Sequence, residues 1–122
     1  MTAAILVVDD SPSLRMAVRV ALTGAGYSVT EACDGVDGLS KANASRFNLI
    51  ITDLNMPNMD GLTMIRELRR SPSNAGVPIV FLTTESDDGI KQQAKAAGAT
   101  GWLVKPFDAD QLVRIARKVL GR

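Results

Sequence analysis

Five short runs of apolar residues, each followed by a stretch with apolar residues at helical spacing, set the rhythm of the chain. The run Ile5-Leu6-Val7-Val8 ends at Asp9-Asp10 and shows no polar alternation, so both of its faces are expected to be covered, as in a central strand. Ser11 and Pro12 then form a helix start, N-cap and first helical position. Leu14, Val18, Ala21, Leu22 and Ala25 supply the inward stripe, and Gly24 and Gly26 end it. Residues 27–32 alternate more and predict a strand nearer an edge. A helix over about 36–45 carries only Leu39 and small residues inward, which predicts light anchoring.

The third strand, 48–53, ends at Asp53, and a turn-rich loop leads into a helix over 61–70 with Leu62, Ile65 and Leu68 inward. Arg66, Arg69 and Arg70 are expected on its solvated face. Residues 71–76 read as a loop and 77–83 as a buried strand, with Pro78 tolerated near its start. A helix over 87–97 has Ile90 as its only large apolar residue, so it is expected to be weakly held. A short strand over 100–104, a Lys105-Pro106-Phe107 turn and a helix over 108–120 with Asp108 as N-cap complete the chain. Five βα units with continuous apolar strands predict an open, doubly wound α/β domain: a five-stranded parallel sheet with helices on both faces.

Composition narrows the function. A chain of 122 residues has room for one core, and a formal charge of +1 provides no global attraction to nucleic acid or membrane. With one cysteine and no histidine, a disulfide, a Cys/His metal cluster and every histidine-based catalytic arrangement are excluded within the chain. Cys33 is expected to pack as a small residue near a strand end. No charged-then-apolar leader opens the chain and no apolar run approaches about 18 residues, so a cytoplasmic location is expected.

In doubly wound sheets ligands bind beyond the carboxyl ends of the strands. The first polar residues there are Asp9 and Asp10, Asp53, Thr83 and Lys105. Three carboxylates gathered in one pocket raise one another's pKa unless a cation neutralises them, and an oxygen-only donor set selects a hard ion, Mg²⁺ being the abundant one. Three carboxylates, Mg²⁺ and the Lys105 ammonium sum to zero charge, a pocket able to accept a phosphoryl group. Asp53 is the candidate nucleophile, since a carboxylate can attack phosphorus to give an acyl phosphate.

The runs Val7-Val8-Asp9-Asp10, Asp34-Gly35-Val36-Asp37-Gly38, Asp53-Leu54-Asn55-Met56-Pro57-Asn58-Met59-Asp60-Gly61, Ala97-Gly98-Ala99 and Val104-Lys105-Pro106-Phe107 resemble the response-regulator receiver domain of two-component signalling. Within it they are most similar to the single-domain chemotaxis regulators. The resemblance spans the whole chain and implies one receiver domain over 1–122 without an output domain, with the flavodoxin-like sheet order 2-1-3-4-5. It implies phosphorylation of Asp53 by a histidine kinase. Mg²⁺ would be held by Asp10, Asp53 and the carbonyl of Asn55, with Asp9 acting through water. Lys105 would pair with the phosphoryl oxygens, its peptide bond to Pro106 being cis. Thr83 and Trp102 would be the switch pair, and Asn55 and Glu85 the positions that tune self-dephosphorylation, expected in seconds to minutes.

The implied output surface is the last two helices with the strand between them, reaching a partner such as the flagellar motor switch, and a phosphatase is a further implied partner. The protein is then a monomeric signalling switch, without nucleic-acid or membrane contacts, that catalyses only its own phosphorylation and dephosphorylation. Trp102 departs from the tyrosine usual at this position in chemotaxis regulators, and Leu54 leaves no tryptophan beside the metal. Phosphorelay, phosphate-sink and twitching-motility receivers are the alternatives within the class. Outside it, a haloacid dehalogenase-type phosphatase uses an Asp nucleophile and Mg²⁺, but needs a second Asp where this chain has Asn55. A flavodoxin-type flavin module would find Asp9-Asp10 where its phosphate loop belongs.

Overall fold

The computed structural model describes residues 2–84 and 88–121. Its strands are β1 (Ala4–Val8), β2 (Ser28–Ala32), β3 (Leu49–Asp53), β4 (Ile79–Thr83) and β5 (Gly101–Val104), and its helices are α1 (Pro12–Gly24), α2 (Gly35–Ala44), α3 (Gly61–Arg70), α4 (Asp88–Ala97) and α5 (Ala109–Leu120). The strands form one parallel sheet in the order β2-β1-β3-β4-β5, as the family resemblance implied. Among the described residues no helix is long and apolar enough to cross a membrane.

The unbroken apolar runs are explained by two cores, one on each face of the sheet, where chain length alone suggested one: the sheet divides the buried residues into two layers. Along β1, Ile5 and Val7 face a core shared with Val18 and Leu22 of α1 and Leu112 and Ala116 of α5. Leu6 and Val8 face the opposite core with Ala42 of α2 and Met64, Ile65 and Leu68 of α3. Successive strand residues point to opposite faces, so a strand covered on both sides has no position for a polar residue. Each such side chain, once buried, contributes about 1.5–3 kcal/mol. A small third cluster of Leu54, Phe81 and Ala94 lies under α4, with Ile90 and Trp102 at its margin.

Helix ends follow local chemistry. Ser11 caps α1 by accepting from the Leu14 N–H, Asp34 caps α2 through Asp37 N–H, and Asp60 caps α3 through Thr63 N–H. Asp108 and Gln111 complete a reciprocal capping box at α5. β2 starts one residue later than the alternation predicts, because the Tyr27 N–H is bonded back to the Leu22 carbonyl and belongs to the turn closing α1. Residues 72–74 form a short 3-10 helix within the expected loop. The expected start of the fourth helix at Asp87 lies outside the described residues.

Two expectations are corrected. Arg69 is not on a solvated face: its guanidinium reaches across to the carbonyl of Gly98 (2.7 and 3.1 Å) and to that of Asn74 (2.8 Å). It braces α3 against the end of α4, and burial lowers its pKa. Cys33 is exposed rather than packed, since it follows the last residue of β2 where the chain turns outward.

Candidate functional site

Strand register carries the sequence-predicted residues to one edge in a staircase. Val8 pairs with Thr52, so Asp9 and Asp53 emerge side by side; Asp53 pairs with Leu82 and Thr83 with Val104, which sets Thr83 and then Lys105 one step further out. A hydrogen bond from Lys105 N–H to the Thr83 carbonyl (2.8 Å) continues the ladder past β5. Thus four parallel strands, each ending within a residue of the next, assemble the polar set that chain order suggested.

The carboxylates of Asp9, Asp10 and Asp53 each present an oxygen within 4.8 Å of the others. Asp9 and Asp53 are buried and Asp10 is exposed, so the cluster opens to solvent on one side. Lys105 Nζ donates to Asp53 Oδ2 at 3.1 Å and stands 3.7 Å from Asp9 Oδ2. The other Asp53 oxygen accepts the N–H of Leu54 at 2.7 Å. Asp9 Oδ1 accepts the Ser11 N–H at 2.8 Å. Its Oδ2 is buried, and among the described residues it has no hydrogen bond.

That orphaned oxygen tests the fit of a cation. A buried carboxylate oxygen lacking a donor costs free energy that a hard cation would recover. Burial pushes the Asp9 pKa above the usual aspartate range; the Ser11 N–H and the Lys105 charge oppose this, while the neighbouring Asp53 and Asp10 charges add to it. One ammonium among three carboxylates leaves net negative charge. An all-oxygen set of this kind suits Mg²⁺.

Further residues stiffen the site, and of these Arg15 and Glu31 were not singled out in the sequence. Arg15 of α1 donates from Nε to Glu31 at 3.1 Å and from a terminal nitrogen to the Asp9 carbonyl, so β1 and β2 are tied together beside the cluster. Asp34 accepts both the Asp37 N–H (2.8 Å) and the Asn58 amide (2.7 Å), and these bonds lower its pKa. Asn58 has a positive φ of 68°, a conformation asparagine tolerates better than most residues. The Gly35 N–H bonds the Met59 carbonyl, and a Cβ at Gly35 would meet that oxygen at 2.3 Å. A Cβ at Gly61 would lie 2.2 Å from the Asp53 carbonyl. The loop after Asp53 is therefore pinned at both ends. The Asp34-Gly35 and Asn58-Met59 runs were visible, but their pairing across the fold was not.

Thr83 is buried at the end of β4, Asn55 is exposed two residues beyond Asp53, and the Lys105–Pro106 peptide bond is cis. Trp102 on β5 is half-buried, with its ring centroid 6.2 Å from that of Phe81. Glu85 lies outside the described residues.

Comparison with known proteins points the same way. Residues 5–117 match the family described as the response regulator receiver domain. Among curated proteins, the transcriptional activator protein IrlR of Burkholderia pseudomallei is 40% identical over 97% of this chain and 50% of its own length. The chain spans about half the length of the curated relatives it matches. Among solved structures, the chemotaxis response regulator CheY4 of Vibrio cholerae superposes with a TM-score of 0.94 at 44% identity, covering 98% of this chain and 99% of that one. The receiver domain of the sensor histidine kinase PA1611 of Pseudomonas aeruginosa, solved with magnesium in its active-site cleft, gives a TM-score of 0.92 at 31% identity over the whole of both chains.

Proposed function

Since this chain belongs to the response regulator receiver domain family, we propose that it is a stand-alone, cytoplasmic phosphorylation switch that takes a phosphoryl group from a histidine kinase onto Asp53, with a role in chemotaxis. The observation that carries the site is the Asp53 carboxylate held between the Leu54 N–H and the Lys105 ammonium, beside the buried Asp9. The chemotaxis reading draws support from the likeness to CheY4 at 44% identity. The reading in which this sequence is the receiver half of a transcriptional regulator draws on IrlR.

In the proposed reaction an Asp53 carboxylate oxygen forms the new O–P bond as the N–P bond of a phosphohistidine breaks, its electron pair returning to the imidazole nitrogen. Lys105, hydrogen-bonded to Asp53, would hold a phosphoryl oxygen, and Thr83, at the end of the neighbouring strand, would supply a hydroxyl. Asp9, Asp10, Asp53 and the Asn55 carbonyl would hold Mg²⁺, which supplies charge neutralisation for the incoming phosphoryl oxygens. With two acids plus the nucleophile against a single lysine, a metal-free pocket repels phosphate. The transferred group is then lost to water, with Asn55 and Glu85 setting the pace. The protein is not proposed as an enzyme with an external substrate, because Asn55 stands where a phosphatase of the Asp-nucleophile type needs its acid.

The expected output is a change on the face formed by α4, β5 and α5, reported by Trp102, which a phosphoryl mimic such as beryllofluoride should perturb more than Mg²⁺ alone. The deciding experiment is labelling by a phosphorylated histidine kinase or a small-molecule phosphodonor with Mg²⁺. Wild type is expected to form an acid-stable, base-labile acyl phosphate that decays in seconds to minutes, and Asp53→Asn to form none. Undiminished labelling of Asp53→Asn would overturn the assignment.

A further inference from the structure

The last ladder bond between β1 and β2 runs from the Asp9 N–H to the Ala32 carbonyl at 3.1 Å, and β2 ends there. Past that point the Asp9 carbonyl takes its hydrogen bond from a side chain, a terminal nitrogen of Arg15. This carbonyl belongs to the peptide that joins Asp9 to Asp10, so both acids branch from a peptide plane held by one guanidinium. Arg15 is in turn held by Glu31: its Nε donates to Glu31 Oε1 at 3.1 Å, while Arg19 donates to Glu31 Oε2 at 2.8 Å. Lys41 Nζ donates to the main-chain carbonyl of Glu31, which fixes the backbone from which that carboxylate projects. The bonds from Arg19 and Arg15 keep the Glu31 carboxyl below the usual glutamate range, so it is ionised at neutral pH.

We propose that Arg15 and Glu31 are positioning residues for the metal-binding corner: Glu31 holds the guanidinium on the Asp9 carbonyl, where it orients the Asp9–Asp10 peptide and stays off the carboxylates. The proposal rests on the Mg²⁺ reading of the acidic cluster. A guanidinium beside three acids has two places to go. On the carbonyl it fixes the ligands and leaves their oxygens free for a cation; on a carboxylate it occupies the oxygens that Mg²⁺ needs. The cluster keeps net negative charge even with Lys105 beside it, and the Arg15 side chain is only 17% exposed. Without a counter-charge it is therefore drawn to the acids rather than to water. Glu31 supplies that counter-charge from the neighbouring strand, and Arg19, whose side chain is 51% exposed, secures Glu31 from the solvent side.

The test measures Mg²⁺ affinity by titration calorimetry on the full chain, for wild type, Arg15→Met, Glu31→Gln and the double variant. Glu31→Gln is expected to weaken Mg²⁺ binding roughly tenfold, the usual effect of losing a group that orients a metal ligand. The effect of Arg15→Met is expected to reverse with the residue at 31. Binding weakens where Glu31 is present, because the peptide is released, and tightens in the Glu31→Gln background, because a competitor is gone. Arg15→Lys, whose single ammonium cannot serve both the carbonyl and Glu31, is expected to fall between wild type and Arg15→Met. Plain removal of charge would tighten binding in both backgrounds, and a purely structural role would weaken it in both; either result overturns the proposal, as does unchanged affinity of Glu31→Gln. A second readout needs no metal: in chelator the Asp10 amide resonance, which reports the held peptide, is expected to broaden in Arg15→Met and in Glu31→Gln. If that signal responds while wild type takes up no Mg²⁺, the hold on the peptide stands and the Mg²⁺ reading is what fails. If wild type binds Mg²⁺ without the reversal, the Mg²⁺ reading stands and the positioning pair fails.

Discussion

Asp9 is the residue at which burial and ionisation pull in opposite directions. Its carboxyl is buried with one oxygen lacking a hydrogen bond, and its pKa is raised, chiefly by that burial. The unfolded chain ionises it near 3.8, the folded chain only at higher pH. Between those two values the folded state holds the extra proton, so this group's contribution to stability falls as pH rises and stays low above the raised value. Glu31, Asp34 and Asp37 have depressed values and act in the opposite sense, their stabilisation being lost as pH falls. The comparison of wild type with Asp9→Asn isolates the first effect. In chelator, Asp9→Asn is expected to raise the urea midpoint at neutral pH, with a gain that shrinks toward acid pH, whereas Mg²⁺ should stabilise wild type more than the variant. A variant less stable than wild type in chelator at neutral pH would contradict this. That an acid sits at this place was plain from the sequence; that its second oxygen lacks a donor depends on strands distant in the chain.

At the scale of elements, the strands and most helices were legible because their cause is local or periodic. A strand covered on both faces is an apolar run wherever it occurs, and Ser11, Asp60 and Asp108 cap the helices that follow them immediately. What escaped were pairings between separate elements. Arg69 looked like one of three solvated arginines, yet it satisfies the carbonyls of Gly98 and Asn74, some thirty and five residues away. No periodicity marks such a brace. Replacing Arg69 by Met removes these donors and leaves partly buried carbonyls unpaired, at a cost of about 1–3 kcal/mol in urea unfolding. Lys at this position is expected to recover only part of that loss, because a single ammonium cannot span both carbonyls as the guanidinium fork does. Full stability of Arg69→Met would remove the brace from the account.

On the scale of the whole molecule, one edge of the sheet carries charge chemistry while α4 is fastened by little more than two alanines. α3 buries Met64, Ile65 and Leu68, and α5 buries Leu112 and Ala116 against the other core. Local opening follows buried apolar contact. Amide exchange is therefore expected to be faster along α4 than along α3 or α5, and to slow on addition of Mg²⁺ and beryllofluoride; protection of α4 equal to that of α3 would argue against a loosely held helix. The fold class itself could be anticipated from five apolar runs, but the division into rigid and yielding parts required knowing how much each helix buries.

Leu54 joins these scales within one residue. Its backbone N–H is bonded to the Asp53 carboxylate, and its side chain lies with Phe81 and Ala94 in the small cluster whose margin is Trp102. A movement of that carboxylate is therefore expected to pull on the packing beneath α4, in the manner of a piston. Its sensitivity is then a matter of stroke length: a shorter or longer side chain at 54 is expected to change how far Trp102 emission responds to beryllofluoride.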